Sequence, residues 1–211
     1  MSVYTKRISC PVCENLVNIP VYANVNSASM PREAADVASG LAFEKACPVC
    51  GNILRLDYAM FYWDPEMKVL LRYDRNLSAV PEEDILKDDT VRAFFEQAES
   101  TGNVCRCVSS LDELREKLLI FGRGLDDRVI EIMKALLVLD FQEHQQVAVD
   151  SLRLIEITDR LCFCVKTGGR NGAASFDMPA YNALKKKYTF SQSLYKVDAP
   201  WAFGVLKDSV A

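Results

Sequence analysis

Two identical tetrapeptides, Cys10-Pro11-Val12-Cys13 and Cys47-Pro48-Val49-Cys50, hold four of the chain's 8 cysteines. A C-x-x-C turn can present two thiolates to one metal ion, and two such turns complete the tetrahedral set of a structural Zn²⁺ site. Proline stiffens each turn. Gly51, directly after the second pair, supplies a positive φ without strain. Glu14 holds the equivalent place after the first pair, which predicts less favourable turn geometry there. Backbone N–H groups around such turns can point at the sulfurs and stabilise thiolates. Four thiolates outweigh the charge of one Zn²⁺, and Lys6, Arg7 and Lys45 are near enough in sequence to offset the excess. Two other readings compete. A thioredoxin-like redox pair needs one C-x-x-C at a helix N-terminus in a βαβ setting. The other alternative is four buried cysteines without a ligand.

Strand-like segments flank both pairs. Tyr4–Ser9 leads into the first, and the β-branched run Leu16–Val25 leaves it. Pro20 marks that run as an edge strand or a bulge. A short helix follows, with Ser29 as a candidate cap, Pro31 in its first turn and Gly40 as its stop. Leu41–Ala46 reads as the strand into the second pair and Ile53–Tyr58 as the strand out of it. After the aromatic run Tyr58–Trp63, the turn Asp64-Pro65-Glu66 leads to a strand over Met67–Tyr73. Residues 14–46 separate the two pairs, a longer gap than compact zinc ribbons show. The inserted helix must therefore fold back without parting the two knuckles.

The C-P-x-C … C-P-x-C-G pattern, the helix ending at Ala38-Ser39-Gly40-Leu41 and the Tyr62-Trp63-Asp64 signature resemble the CpXC domain, over about residues 5 to 130. Leu125–Glu131 is also similar to segments of bacterial CpXC-containing proteins. The resemblance implies that Cys10, Cys13, Cys47 and Cys50 are the defining residues of the family, and it carries no biochemical activity with it.

Beyond Pro81 the pattern becomes helical. Three acids after that proline suit a helix start. Val91, Phe94, Phe95 and Ala98 fall at helical spacing in Asp89–Ser100. Val104–Val108 is a short strand that places Cys105 and Cys107 on one face, where burial is the default reading. Ser110 and Glu113 form a capping box for a helix reaching Phe121. A second helix starts at Asp126 or Asp127, and the two predict an antiparallel hairpin with an apolar seam. Asp126-Asp127-Arg128 could be catalytic or metal-binding, but carboxylates at a helix start more commonly serve the macrodipole. The single histidine, His144, has no nucleophile paired with it and reads as a solvated helix-end or linker residue.

Periodicity then turns strand-like. Leu152–Ile157 and Leu161–Val165 predict two strands, with Cys162 and Cys164 on one face and buried in core or sheet. Gly168–Gly172 is a hairpin loop, since no Lys-Ser or Lys-Thr follows to make a phosphate cradle. Ala174–Asp177 is a third strand and Met178–Tyr188 a short helix. The tail with Leu194, Tyr195, Trp201 and Phe203 should pack on the sheet.

The expected fold is α+β in three parts: a zinc-ribbon-like β domain with an inserted short helix over 1–80, a helical segment over 81–150, and a small α+β module over 151–211. A net charge of −4 argues against a general nucleic-acid binder, because phosphate contact needs a basic surface. No apolar run reaches the ~18 residues of a membrane span and no secretory signal opens the chain. The expectation is a cytoplasmic protein, where reduced thiols favour metal over disulfide. The function expected is that of a non-enzymatic adaptor with a protein partner of unknown identity. The alternatives are a nucleic-acid-associated regulator and a thiol-redox protein using C-P-V-C.

Overall fold

The computed structural model describes residues 2–190 and 194–208. The fold is mixed α+β, in two compact units, Met1–Arg115 and Glu116–Ala211.

The first unit is built on a five-stranded sheet of order β1-β2-β5-β6-β7. Its members are β1 (Ser2–Ser9), β2 (Leu16–Asn26), β5 (Met60–Asp64), β6 (Val69–Tyr73) and β7 (Val104–Val108). β1–β2 and β5–β6 are antiparallel, whereas β2–β5 and β6–β7 are parallel. Parallel neighbours need crossover connections. Between β2 and β5 the chain runs through α1 (Pro31–Ser39) and a small hairpin, β3 (Glu44–Ala46) with β4 (Ile53–Arg55). Between β6 and β7 it runs through α2 (Asp89–Ser100). The sequence reading divided the chain at 80/81 and 150/151. The two compact units divide at 115/116, and β7, placed by that reading in the helical segment, is an edge strand of this sheet.

Local chemistry accounts for the elements. Val17, Ile19, Val21 and Val25 alternate inward along β2. Pro20 is tolerated because β2 pairs with β5 only at Asn24–Asn26, so at Pro20 it faces β1 alone. The cap of α1 is Met30, without a side-chain bond; Asn26 Oδ1 instead accepts from the amides of Ala28 and Ser29. Gly40, at φ 90°, ends the helix in the left-handed conformation that an L side chain resists. Two expected strands are shorter than read. Leu41–Phe43 is a 3₁₀ turn, which buries Phe43 against the edge of Tyr73, and only Glu44–Ala46 is extended. The strand from Ile53 stops at Arg55, after which Tyr58 turns inward to donate to the carbonyl of Ala42. The three acids after Pro81 open a 3₁₀ segment, Glu82–Lys87, while Asp88 caps α2 proper through the amides of Thr90 and Val91. α3 (Leu111–Gly122) follows β7; Ser110 Oγ accepts from the Glu113 amide as the capping box implies, while Glu113 Oε2 accepts from the Ser109 amide, one residue before the cap.

The second unit is a meander of order β10-β9-β8: β8 (Ser151–Ile157), β9 (Arg160–Thr167) and β10 (Arg170–Asp177). Gly168 and Gly169 both have positive φ, as a two-residue hairpin turn of type I′ needs. Leu152, Leu154, Leu161, Phe163 and Val165 pack into one core with Val129, Ile130 and Met133 of α4 (Asp127–Gln145) and Tyr181 of α5 (Met178–Lys187). Among the described residues, the tail packs on α4. It forms α6 (Ala199–Asp208), which buries Ala202 and Leu206 against Ile132 and Ala135 on another side of α4. Cys162 and Cys164 are not core residues. Alternation sends Leu161, Phe163 and Val165 inward, so the cysteines lie half-buried on the opposite face, across from Ser175 and Ala173 of β10.

Candidate metal centre

Each C-P-V-C pair is the tip of a β-hairpin: the first joins β1 to β2, the second β3 to β4. The two tips fold alike. In the first, the Cys10 amide donates to Asn15 O at 3.0 Å and the Glu14 amide to Cys10 O at 2.9 Å. In the second, Cys47 donates to Asn52 O at 2.8 Å and Gly51 to Cys47 O at 2.9 Å. Glu14, at φ 59°, adopts the same left-handed conformation as Gly51 at φ 75°. The first turn therefore keeps the geometry of the second, and the cost is backbone strain at Glu14 of about 1–2 kcal/mol. Neither pair opens a helix, which removes the setting a thioredoxin-like pair requires.

The four sulfurs converge. Cys10 Sγ is 3.7 Å from Cys50 Sγ, Cys13 Sγ is 3.8 Å from Cys47 Sγ, and all four lie within 4.8 Å of one another. A tetrahedral site with metal–sulfur bonds of ~2.3 Å has sulfur–sulfur edges of about 3.8 Å. The shortest cross-hairpin pairs match that edge and are far from the ~2.0 Å of a disulfide. Among the described residues no cysteine is in a disulfide. The first cysteine of each pair is buried, Cys13 is half-buried and Cys50 is exposed. The donor set is thus closed toward the protein and borders solvent at one edge. Four cysteines so placed can hold one metal ion.

The electrostatics prepare thiolates on the first hairpin. The amides of Cys13 and Val12 hold the Cys10 thiol below its ordinary range. The side chain and amide of Asn15 bring Cys13 down to about 6. At Cys50 the Asn52 amide acts downward, but burial and the neighbouring thiols outweigh it and push the group up to about 12. A cation bound among the sulfurs would favour the thiolate form of the set and displace protons from it. The lysines expected to offset the cluster are engaged elsewhere. Lys6 Nζ donates to the Asp57 carbonyl, and Lys45 Nζ lies 5.7 Å from the ring centre of Tyr22.

The other candidates resolve into structural roles. Asp64 of the Tyr62-Trp63-Asp64 signature is buried; its Oδ1 accepts from the amides of Glu66 and Met67, and Tyr62 Oη contacts its Oδ2 at 3.5 Å. It shapes the β5–β6 turn. Cys105 is buried with its sulfur 3.8 Å from Phe95 O, and burial pushes its thiol up to about 12. Asp126 caps α4 and pairs with Arg128 at 2.7 Å. His144 is exposed in the last turn of α4, 3.0 Å from Asp140.

Asp127 is different, and the sequence reading missed its setting. It is buried, and Lys117 Nζ bridges Asp127 Oδ2 at 2.8 Å and the Val197 carbonyl at 2.8 Å. Lys134 bridges Glu116 at 3.0 Å and Glu131 at 2.9 Å, while Glu116 Oε1 accepts from the Leu154 amide at 2.7 Å. α3 and α4 thus meet through these ion pairs as well as through an apolar contact, Ile120 packing with Val129, Ile130 and Met133. The available signal was the alternation of Glu116-Lys117 with Asp127, Glu131 and Lys134 at helical spacing, which looks the same as a solvated face. Burial pushes the Glu131 carboxyl upward against the pull of both lysines.

Among the described residues no helix is long and apolar enough to cross a membrane. Searches of curated proteins and of solved structures returned no significant match. The family model described as "CpXC protein" matches residues 8–134, more than half of the 211. That stretch contains both cysteine knuckles, the five-stranded sheet but for most of β1, and the start of α4, and on it the chain belongs to the CpXC protein family.

Proposed function

We propose that this is a non-enzymatic interaction protein in which a structural Zn²⁺, held by Cys10, Cys13, Cys47 and Cys50, clamps two hairpin tips into a docking surface for a protein partner. The observation that carries the reading is the exposure of apolar side chains around a closed donor set. Val12 and Val49 occupy equivalent positions in the two turns and are 65% and 60% exposed. Leu16 and Ile53, each the first residue of the strand leaving its knuckle, are 61% and 56% exposed. Side chains of this type at hairpin tips contribute nothing to the core, and a cluster of them is what a protein contact would cover. Four thiolates leave no open position for water, so the ion acts by fixing geometry and not as a Lewis acid. An acidic chain does not favour nucleic acid.

The test combines metal analysis with partner capture. Purified protein should carry one zinc per chain, and the double variant Val12→Asp/Val49→Asp should keep that zinc and its melting temperature. A partner retained by the wild type and lost by the variant supports the reading. Identical capture by both, or a metal that exchanges a water ligand, sinks it.

A further inference from the structure

We infer that the first unit carries a binding pocket for a small, neutral, flat aromatic or heteroaromatic molecule, on the face of the sheet that α2 covers only in part. The register sets up the hollow. Asn24, Phe61 and Arg72 form one cross-strand row, and Asn26, Trp63, Leu70 and Cys105 form the next row on the same face. α2 packs over the β6–β7 side of this face: Cys105 Sγ lies 3.8 Å from Phe95 O. Over the β2–β5 side the helix leaves a concavity of about 140 Å³. That is close to the ~150 Å³ of an apolar cavity that takes up benzene.

The walls suit a flat ring. Phe61, Trp63, Leu70, Phe94, Met30 and Ala98 line the hollow. Phe94 stacks on Phe61 at 4.3 Å and 13°, which fixes both rings at the edge of the hollow. Trp63 is held by a hydrogen bond from Nε1 to Asn103 Oδ1 at 3.3 Å, and Asn103 is itself tied to the end of α2 through the Ala98 carbonyl. These side chains are in position before any ligand arrives, which lowers the ordering cost of binding. The rim is polar but uncharged, with Asn24, Asn26 and Gln97 supplying amides. Asn26 Oδ1 already accepts from Ala28 and Ser29, so its N–H groups remain to donate. None of the residues lining the hollow is ionisable. Arg72, whose guanidinium packs on the Phe61 ring at 4.7 Å, is already paired with Asp74 at 3.0 Å, so a charged ligand would lose hydration without gaining a free counter-charge, whereas a neutral ring with one polar edge would place its faces on the aromatics and its edge at the amides. This combination of apolar walls and few polar groups is the general form of a small-ligand site. It is independent of the metal reading.

The probe is indole, with benzoate as the charged comparison, titrated into metal-loaded, methyl-labelled full-length protein and followed by NMR. Indole should produce saturable shifts confined to the methyls of Val25, Met30, Leu70 and Ala98, and benzoate should bind at least about tenfold more weakly. Ala98→Leu fills the hollow from the helix side, and Gln97→Trp blocks its mouth from an exposed position that leaves the fold intact. Both should weaken indole by about tenfold or more without lowering the melting temperature. Should Ala98→Leu fail to fold, Gln97→Trp carries the comparison alone. The inference is overturned by the absence of saturable shifts, by shifts spread over methyls elsewhere, by equal binding of benzoate, or by wild-type affinity in Gln97→Trp.

Discussion

Removing the second knuckle should release the chain between the two hairpin tips, and the cost can be worked from the fold. Cys13 and Cys47 bound a segment, residues 14–46, that leaves one tip and returns to the other. A metal bound by both pairs closes that loop. Treated as a cross-link, it removes about 3.7 kcal/mol of chain entropy from the unfolded state. For a unit the size of Met1–Arg115 this corresponds to roughly 15 °C in melting temperature. The perturbation is Cys47→Ala/Cys50→Ala, measured by calorimetry beside wild type with and without chelator. Chelated wild type and the double variant should melt together, well below the metal-loaded protein. Cys162→Ala/Cys164→Ala, which touches a half-buried pair outside the metal set, should leave both the metal content and the difference between loaded and chelated protein unchanged. Thiol titration gives a second reading: four cysteines should stay protected until chelation. The clamp argument is refuted if the double variant melts with metal-loaded wild type, or if the knuckle thiols react fully while the metal is retained.

The left-handed residues of the two turns make opposite predictions. Gly51→Ala should destabilise by about 1 kcal/mol through strain alone, since nothing lies within 4 Å of the added Cβ; Glu14→Gly should be neutral or slightly stabilising, and denaturant midpoints will order the pair. Lys117→Met leaves Asp127 buried without its cation and the Val197 carbonyl without its donor, so it should cost about 3–5 kcal/mol in chemical denaturation. Glu131 is predicted to make stability fall as pH rises. Its folded pKa is raised, so the native state holds a proton that the unfolded state loses above about 4.5. Its contribution is complete below that pH and declines toward the folded value, and Glu131→Gln should flatten that part of the stability–pH profile.

The four-cysteine cluster was legible in the sequence because its signal is local. A repeated C-P-V-C fixes residue type and spacing together, and the hairpin tips need only bring two such turns to one point. The strain at Glu14 shows the limit of that reading. A glycine after the second pair and a glutamate after the first suggested unequal turns, yet both adopt positive φ, because the Cys10 carbonyl and the Asn15 carbonyl receive the same pair of hydrogen bonds as their counterparts at Cys47 and Asn52. Hydrogen bonding and sulfur placement outweigh about 1–2 kcal/mol of local preference.

What was not legible depends on partners distant in sequence. Val104–Val108 was correctly read as a strand, but nothing local says that Leu70 will pair with Cys105 and draw β7 into the first sheet. Lys117 looks like any surface lysine until Asp127 and the Val197 carbonyl are placed around it. Three carboxylates and two lysines in that buried group carry one excess negative charge when all are ionised, and burial acts on Glu131 in the direction that removes it. The two units therefore rest on different physical devices. The hairpin tips of the first carry exposed valines beside four convergent sulfurs. The second unit ties α4 to α3 through its apolar core at Ile120 and through buried charges whose protonation sets their net balance. Metal removal should consequently act on the first and pH on the second, and separating those two responses in one melting profile tests the division more directly than either does alone.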